Sequence, residues 1–275
     1  VVRRRPLVTL TTDIGPVYAA QLKGVLSEWV PPGRIVELAL ELTPFGVEQA
    51  AFLFEHLGAT FPAGTIHLAV VDPGVGGRRA PLAVRARDGT TLIGPDNGLL
   101  DRLALRLGVR SAIRLDRSRV TPRARVGATF DGRDLFAPAA GRLASGSPMG
   151  ALGTRIDYRP RVPTPPKMGV DGWTGRLVHV DRFGNLITNL PSAWLGKGHG
   201  AYRFRIGTAR WNSATAARTY EELPRGRFGL IPSSFGTLEV AVREGSARAR
   251  LGVRADRTIR LVRAPARPVR RRDGK

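Results

Sequence analysis

"GTIHLAVVDPGVGGRR", residues 64–79, decides how the first half of the chain is read. An apolar run (Ile66, Leu68, Ala69, Val70, Val71) stops at Asp72. Pro73 follows, then three glycines within four residues, then Arg78 and Arg79. A run this short, bounded by turn residues, reads as a buried strand. The plain reading of its end is a turn, since Pro presets φ and Gly accepts positive φ. The sharper reading is a site, because ligands of open α/β sheets sit just beyond the carboxyl ends of strands.

Working outward, the same alternation continues on both sides. "PLVTLTTDIG" predicts a first strand over Leu7–Leu10, and residues 18–30 carry apolar side chains near helical spacing (Ala19, Leu22, Val25, Leu26, Trp29). "RIVELAL" predicts a second strand and residues 46–61 a second helix. Beyond the glycine loop, "PLAVRAR" and "TLIGPDNG" suggest a strand pair, and "GLLDRLALRLG" a third helix. Residues 132–146 read as a further helix with Pro138 early in it or kinking it. Strands alternating with helices argue for an α/β layer domain.

The character then changes. "YRPRVPTPPKMG" (158–169) carries four prolines and reads as a stiff linker. After it come short runs ("GRLVHVDRFGNLITNL", "AYRFRIG", "RFGLIPSS", "TLEVAV", "ARARLGV", "TIRLV") separated by Gly, Pro, Ser and Asn, a pattern of a small antiparallel sheet or barrel. We therefore expect an α/β layer domain over 1–157, the linker over 158–169, a smaller all-β, barrel-like domain over 170–263, and a basic tail without fixed structure over 264–275.

Composition narrows the function classes. The 275 residues contain no cysteine, which excludes disulfides and thiolate nucleophiles. The four histidines (His56, His67, His179, His199) show no HxxxH or HxH spacing, so no histidine-rich metal site is expected. No apolar run approaches the roughly 18 residues of a membrane span. The first residues hold no apolar segment with a small-residue cleavage site, so no secretory signal is expected and the reading is cytoplasmic. The formal charge of +22 comes from 44 basic residues, only four of them Lys. These are spread along the chain, with small clusters at Arg3–Arg5 and Arg270–Arg272. That implies salt-sensitive adhesion to polyanions rather than specific nucleic-acid binding.

Acidic or amide groups recur at strand exits or glycine turns: Asp13 in "TTDIG", Asp72, Asp96 and Asn97 in "IGPDNG", and Asp131 and Asp134 in "FDGRD". Asp181 and Asn185 in "VDRFGN" belong to the second domain. Each alone is an ordinary turn former, and Asp134 could cap a helix. Together, at successive strand exits, the first four motifs point to a shared site.

"TLTTDIG", "GTIHLAVVDPGVGGRR", "IGPDNGLL", "FDGRDLFAPAAGRLASG", "VDRFGNLITNL" and "SSFGTLEVAVREGSA" follow the order and spacing of one family. Over about residues 7–262 the chain resembles the S-adenosyl-L-methionine hydroxide adenosyltransferases, relatives of the fluorinases and chlorinases. The resemblance implies an α/β domain joined to a smaller β domain. It implies a homotrimer with sites between the N-terminal domain of one subunit and the C-terminal domain of the next. The reaction it implies is attack of water or hydroxide at the ribose 5′ carbon of S-adenosylmethionine, giving adenosine and methionine without metal or redox cofactor.

The residues suit that chemistry. A sulfonium leaves without protonation, so the protein must align a water, strip it of solvent and help remove its proton. The resemblance gives Asp72 the water, and Arg79 the task of fixing that carboxylate, with Arg78 as competitor. It gives Asp13 the two ribose hydroxyls, and Asp181, Asn185 and Ser234 the methionine end. In the resemblance, main-chain groups of the segment Arg243–Ala247, which includes Ser246, meet the adenine.

The chain also departs from the family. Asp131 stands where hydroxide-transferring members have the histidine of an Asp-Arg-His set. Ile14 replaces a phenylalanine, Ser233 an asparagine, and a histidine before "PF" is absent. Two carboxylates sharing one water repel unless Arg79 lies between them. From the resemblance alone, Asp131→His is expected to raise turnover. Two rivals stay open: a silent binder of S-adenosylmethionine or adenosine, and a halide-using relative, which a second carboxylate would disfavour.

Overall fold

The computed structural model describes residues 6–39, 42–121, 129–196, 200–253 and 257–264. The expected tail, apart from Ala264, together with the Arg3–Arg5 and Arg270–Arg272 clusters and His199, lies outside the described residues. The chain divides into two compact units, Val1–Pro163 and Thr164–Lys275, with the division inside the proline-rich stretch.

The first unit is built on a seven-stranded sheet, in the order β2-β1-β3-β5-β4-β6-β7. These strands are β1 (Val8–Thr12), β2 (Ile35–Ala39), β3 (Ile66–Val70), β4 (Pro81–Ala86), β5 (Thr91–Pro95), β6 (Val109–Leu115) and β7 (Gly153–Ile156). The first four in spatial order are mutually parallel, and β4 runs antiparallel to both β5 and β6. Hence β1, β3, β5 and β6 all point their carboxyl ends to one edge of the sheet. The strands β1, β3 and β5 are fully buried, which is why they read as continuous apolar or β-branched runs.

Helices α1 (Gly15–Leu26), α2 (Val47–Gly58), α3 (Asp101–Leu107), α4 (Arg117–Val120) and α5 (Ala137–Ala144) accompany this sheet. The first starts earlier than expected because Pro16, with its fixed φ, fits the first turn, and it ends before Trp29. The expected helix over 132–146 divides into a π-helical turn, Gly132–Phe136, and α5, with Pro138 in the first turn of α5. Asp134 therefore lies within the π turn rather than capping a helix. The core joins Leu10, Leu22, Leu26, Leu68, Ile93, Ile113 and Phe136.

The second unit is a β-barrel. Its strands are β8 (Lys167–Gly169), β9 (Gly172–Val180), β10 (Leu186–Pro191), β11 (Ala201–Ile206), β12 (Asn212–Ala216), β13 (Phe228–Pro232), β14 (Thr237–Val242) and β15 (Thr258–Arg263). The order β10-β14-β13-β12-β11-β15-β9 closes because β9 also pairs with β10, making a seven-stranded ring. Closure removes the open edges that would template pairing with other chains. β8, from the end of the proline-rich stretch, pairs with the start of β9 outside that ring. Phe204, Leu186, Val240, Ile259 and Leu261 fill the interior. The segment "ARARLGV", taken from sequence as a strand-like run, holds instead a short helix, α6 (Ala247–Leu251).

Candidate active site

In the first unit the sheet's carboxyl edge assembles a charged cluster. Asp13 follows β1 and Asp72 follows β3. After Asp72 the glycine loop folds as successive tight turns, Val75 N–H donating to Asp72 O at 3.2 Å and Gly77 N–H to Gly74 O at 3.0 Å. Gly76, at φ +77°, supplies the positive φ that the loop requires. The loop returns Arg79 onto Asp72, with Nε donating to Oδ2 at 2.9 Å and Nη2 to the same oxygen at 2.5 Å. Arg78 is exposed, so the competition between the two arginines resolves to Arg79.

Arg79 lies between the two carboxylates. Its Nη2 also donates to Asp131 Oδ2 at 2.5 Å. Asp131 Oδ1 is held in turn by Arg117 Nη2. Burial alone would lower the Arg79 pKa, but hydrogen bonds and charge from Asp72 and Asp131 outweigh burial and raise it. Asp131 is 3 % exposed. Asp72 Oδ1 is buried and has no hydrogen-bond partner among the described residues.

A cavity of about 270 Å³ adjoins this cluster, lined by Asp13, Tyr18, Phe45, Asp72, Phe130 and Asp131 among others. Asp13 Oδ2 accepts from Phe45 N–H at 2.7 Å, which leaves its other oxygen outside that bond. Tyr18 meets Phe130 edge-on with ring centres 5.7 Å apart.

Asp96, Asn97 and Asp134 are structural rather than part of the cluster. Asn97 Nδ2 donates to Val71 O at 2.8 Å, bracing the residue before Asp72. Asp96 pairs with Arg161 at 2.6 Å and Asp134 with Arg133 at 2.7 Å.

In the second unit, Asp181 and Asn185 form one turn between β9 and β10. Asp181 Oδ1 accepts from Phe183 N–H at 2.9 Å and Asn185 N–H at 2.8 Å, and Oδ2 accepts from Asn185 Nδ2 at 3.0 Å. Gly184 sits at φ +82°, and a Cβ there would collide with Ser246 Oγ, so the turn rests directly on the start of α6. Ser246 caps α6 by accepting from Ala249 N–H at 3.0 Å, and Ala247 is fully buried behind it. Arg243 is tied to Glu221, with Nη2 donating to Oε2 at 2.6 Å. Ser234 lies at the exposed tip of the β13–β14 turn.

Sequence reasoning missed three groups. Arg117 follows β6, a strand not foreseen, and was one arginine among many. Tyr220 and Glu239 extend the Asp181 turn: Asn185 Nδ2 lies 3.4 Å from the Tyr220 hydroxyl, which donates to Glu239 Oε1. Burial raises the pKa of Glu239, with the charge of Asp181 adding to it against the lowering bond from Tyr220. Burial, then the Glu239 bond, raises that of Tyr220. A lone Glu within an apolar strand, "TLEVAV", was the available signal.

Comparisons with known proteins identify the family. Residues 8–153 match the family model for the SAM hydroxide adenosyltransferase N-terminal domain, and residues 175–260 that for its C-terminal domain. The chain is 39% identical over 252 residues to an (R)-S-adenosyl-L-methionine hydrolase of Thermus thermophilus, covering 89% of this chain and 94% of that protein. A fluorinase of an Actinoplanes species is 26% identical over 230 residues, covering 73% of this chain and 77% of the fluorinase. A crystal structure of a conserved protein from Thermotoga maritima superposes with a TM-score of 0.83 at 30% identity, covering 94% of this chain and all (100%) of the other. On both of its domains, then, the chain belongs to the SAM hydroxide adenosyltransferase family.

Proposed function

We propose that this chain hydrolyses S-adenosyl-L-methionine to adenosine and L-methionine. The observation that carries the reading is the Asp72–Arg79 pair beside the cavity: one carboxylate oxygen is fixed by a guanidinium and the other is buried without a partner among the described residues. An unpartnered buried acceptor is costly unless something completes it, and a water does so. In the proposed step, the water oxygen forms a bond to the ribose 5′ carbon as the carbon–sulfur bond breaks. The electron pair leaves with sulfur as a neutral thioether, and the water's proton passes to Asp72. Asp13 holds the ribose hydroxyls. The relatives named (R)-S-adenosyl-L-methionine hydrolase, at 32–39% identity, support hydrolysis over halide transfer, since the fluorinases are more distant.

The reading extends to a cytoplasmic homotrimer in which Asp181, Asn185, Ser234 and the Arg243–Ala247 segment of a neighbouring copy complete the site. It needs no metal or redox cofactor, because the sulfonium is itself the activated group. Among the described residues no three His, Asp or Glu side chains converge as a metal-ligand set. Among them, too, no helix is long and apolar enough to cross a membrane.

The test is incubation with S-adenosylmethionine, chromatography for adenosine and methionine, and calorimetry for binding. Equimolar adenosine and methionine are expected. Binding without products would favour the silent binder, and a 5′-halogenated nucleoside in the presence of halide would favour the halide-using relative. Sedimentation showing only monomer at moderate salt would count against the trimer.

A further inference from the structure

Arg117 belongs to the cluster by geometry but to none of the roles above. We infer that Arg117 is a positioning residue for the hydrolytic step, holding Asp131 so that Arg79 stays on Asp72; the inference rests on the functional reading just given.

The argument starts from a shared donor. Arg79 Nη2 serves two carboxylate oxygens, one from Asp72 and one from Asp131, each at 2.5 Å. One guanidinium between two buried carboxylates leaves an unbalanced negative charge in a poorly solvated place, which is strongly unfavourable. It also makes the carboxylates compete, because an unpaired Asp131 pulls Arg79 away from Asp72. Arg117 removes both problems. By taking Asp131 Oδ1 it balances the two anions with two cations and fixes the plane of the Asp131 carboxylate. Both Asp131 oxygens are then occupied, so the unpartnered oxygen of the trio Asp72, Arg79 and Asp131 belongs to Asp72.

The fold delivers Arg117 to this place. β6 runs in the same direction as β1, β3 and β5, so residues just beyond it reach the same edge of the sheet. Asp116 N–H donates to Leu152 O at 2.9 Å, and the Asp116 side chain accepts from Ser118 N–H at 2.9 Å, which fixes the backbone on either side of Arg117. Local structure gives no reason for a cation here. Arg117 opens a helical turn, where the exposed N–H groups favour negative charge. Asp116, its acidic neighbour, is engaged with Ser118 and with Arg119. The Arg117 side chain is 50% exposed, whereas that of its partner is 4% exposed, so it joins a buried cluster to solvent.

The geometry also reverses the expectation for Asp131→His. A histidine at 131 would face two guanidiniums with only the Asp72 carboxylate left to balance them, and Arg117 would lose its anion. Turnover should fall in Asp131→His alone, and removing Arg117 in that background should raise it.

The experiment measures kcat and KM for adenosine release in the wild type, Arg117→Ala, Arg117→Lys, Asp131→Asn, Asp131→His and the double variants, with thermal melting of each. Arg117→Ala should lower kcat by about 10- to 100-fold, the scale of a small misplacement of reacting groups. KM should change by less than about threefold, since no substrate contact is lost. Arg117→Lys should recover part of the loss. In the Asp131→Asn background, Arg117→Ala should cost little, because the two act as one unit. A wild-type kcat in Arg117→Ala, or an equal loss with and without the Asp131 carboxylate, overturns the inference and leaves the functional reading standing. A wild-type protein that binds but releases no adenosine overturns both.

Discussion

Each unit of the molecule places an aspartate beside a glycine turn at the end of a strand, and the two use it in opposite ways. Asp72 gives one oxygen to Arg79, a cation seven residues on, and keeps the other unpartnered among the described residues. Asp181 gives both oxygens to its own turn, to the N–H groups of Phe183 and Asn185 and the amide of Asn185. The first arrangement orients a carboxylate and leaves it an open acceptor, which is what proton transfer needs. The second uses up the acceptor in building a shape, which is what preorganised binding needs. On the proposed function, the N-terminal unit serves chemistry and the C-terminal unit recognition.

The strongest way to break that contrast is at Asp72. Asp72→Asn keeps the size of the side chain and can still accept from Arg79, but it cannot take a proton. Loss of a positioned general base typically costs about 100- to 10,000-fold, and the buried setting places this case toward the upper part of that range. kcat for adenosine release should fall accordingly, with calorimetric affinity for S-adenosylmethionine little changed. Retention of more than a tenth of wild-type turnover would remove Asp72 from the chemistry and collapse the contrast.

A second difference concerns stability. His67 is buried in β3 of the N-terminal unit, with Thr9 Oγ1 2.6 Å from its Nδ1 and the Phe54 and Phe61 rings edge-on around it. Burial lowers its pKa from 6.5 to about 4, against a smaller raising effect of Asp88. Unfolded, the imidazole takes up a proton near pH 6.5; folded, it does so only near 4. The stability it contributes is therefore complete above pH 6.5 and is lost progressively as pH falls toward 4. A shift of this size corresponds to at most about 3 kcal/mol. Denaturant titrations at several pH values should show this loss in the signal of Trp29, and His67→Gln should flatten it. An unchanged pH slope in that variant would assign the acid sensitivity elsewhere.

How much of this was legible in the sequence follows from what each residue has to announce. β1, β3 and β5 are buried on both faces, so they appear as apolar runs cut off by Asp or Gly. β6 was not foreseen, because Arg110 and Arg114 face solvent and interrupt it. β12, Asn212–Ala216, is built of small and polar residues with no hydrophobic signal. α6 was misread because alternating Ala and Arg mimic a strand's period of two, while its real markers are the Ser246 cap and the left-handed Gly252 at its end. The Asp72–Arg79 pairing was named from the family resemblance, with Arg78 as a competitor across the glycine loop. Arg117 was not legible, since its meaning depends on Asp131, brought to it only by folding.

The finest test of the contrast is Asp181→Asn. The replacement keeps a carbonyl oxygen that can accept from the N–H groups of Phe183 and Asn185, so the turn itself should persist. It sets an amide N–H₂, however, where Oδ2 had accepted from Asn185 Nδ2, and two donors cannot satisfy each other. Among the described residues the Asn185 amide nitrogen then keeps only its longer 3.4 Å approach to Tyr220, and the turn also loses a negative charge. If this unit serves recognition, the consequence belongs in binding: KM should rise by about tenfold, roughly 1.4 kcal/mol, with kcat close to wild type. Steady-state kinetics on adenosine release separates the two parameters. A fall in kcat comparable to that of Asp72→Asn would mean that the Asp181 turn acts on the reacting atoms. The division of labour between the units would then be wrong, whatever the melting temperature of the variant.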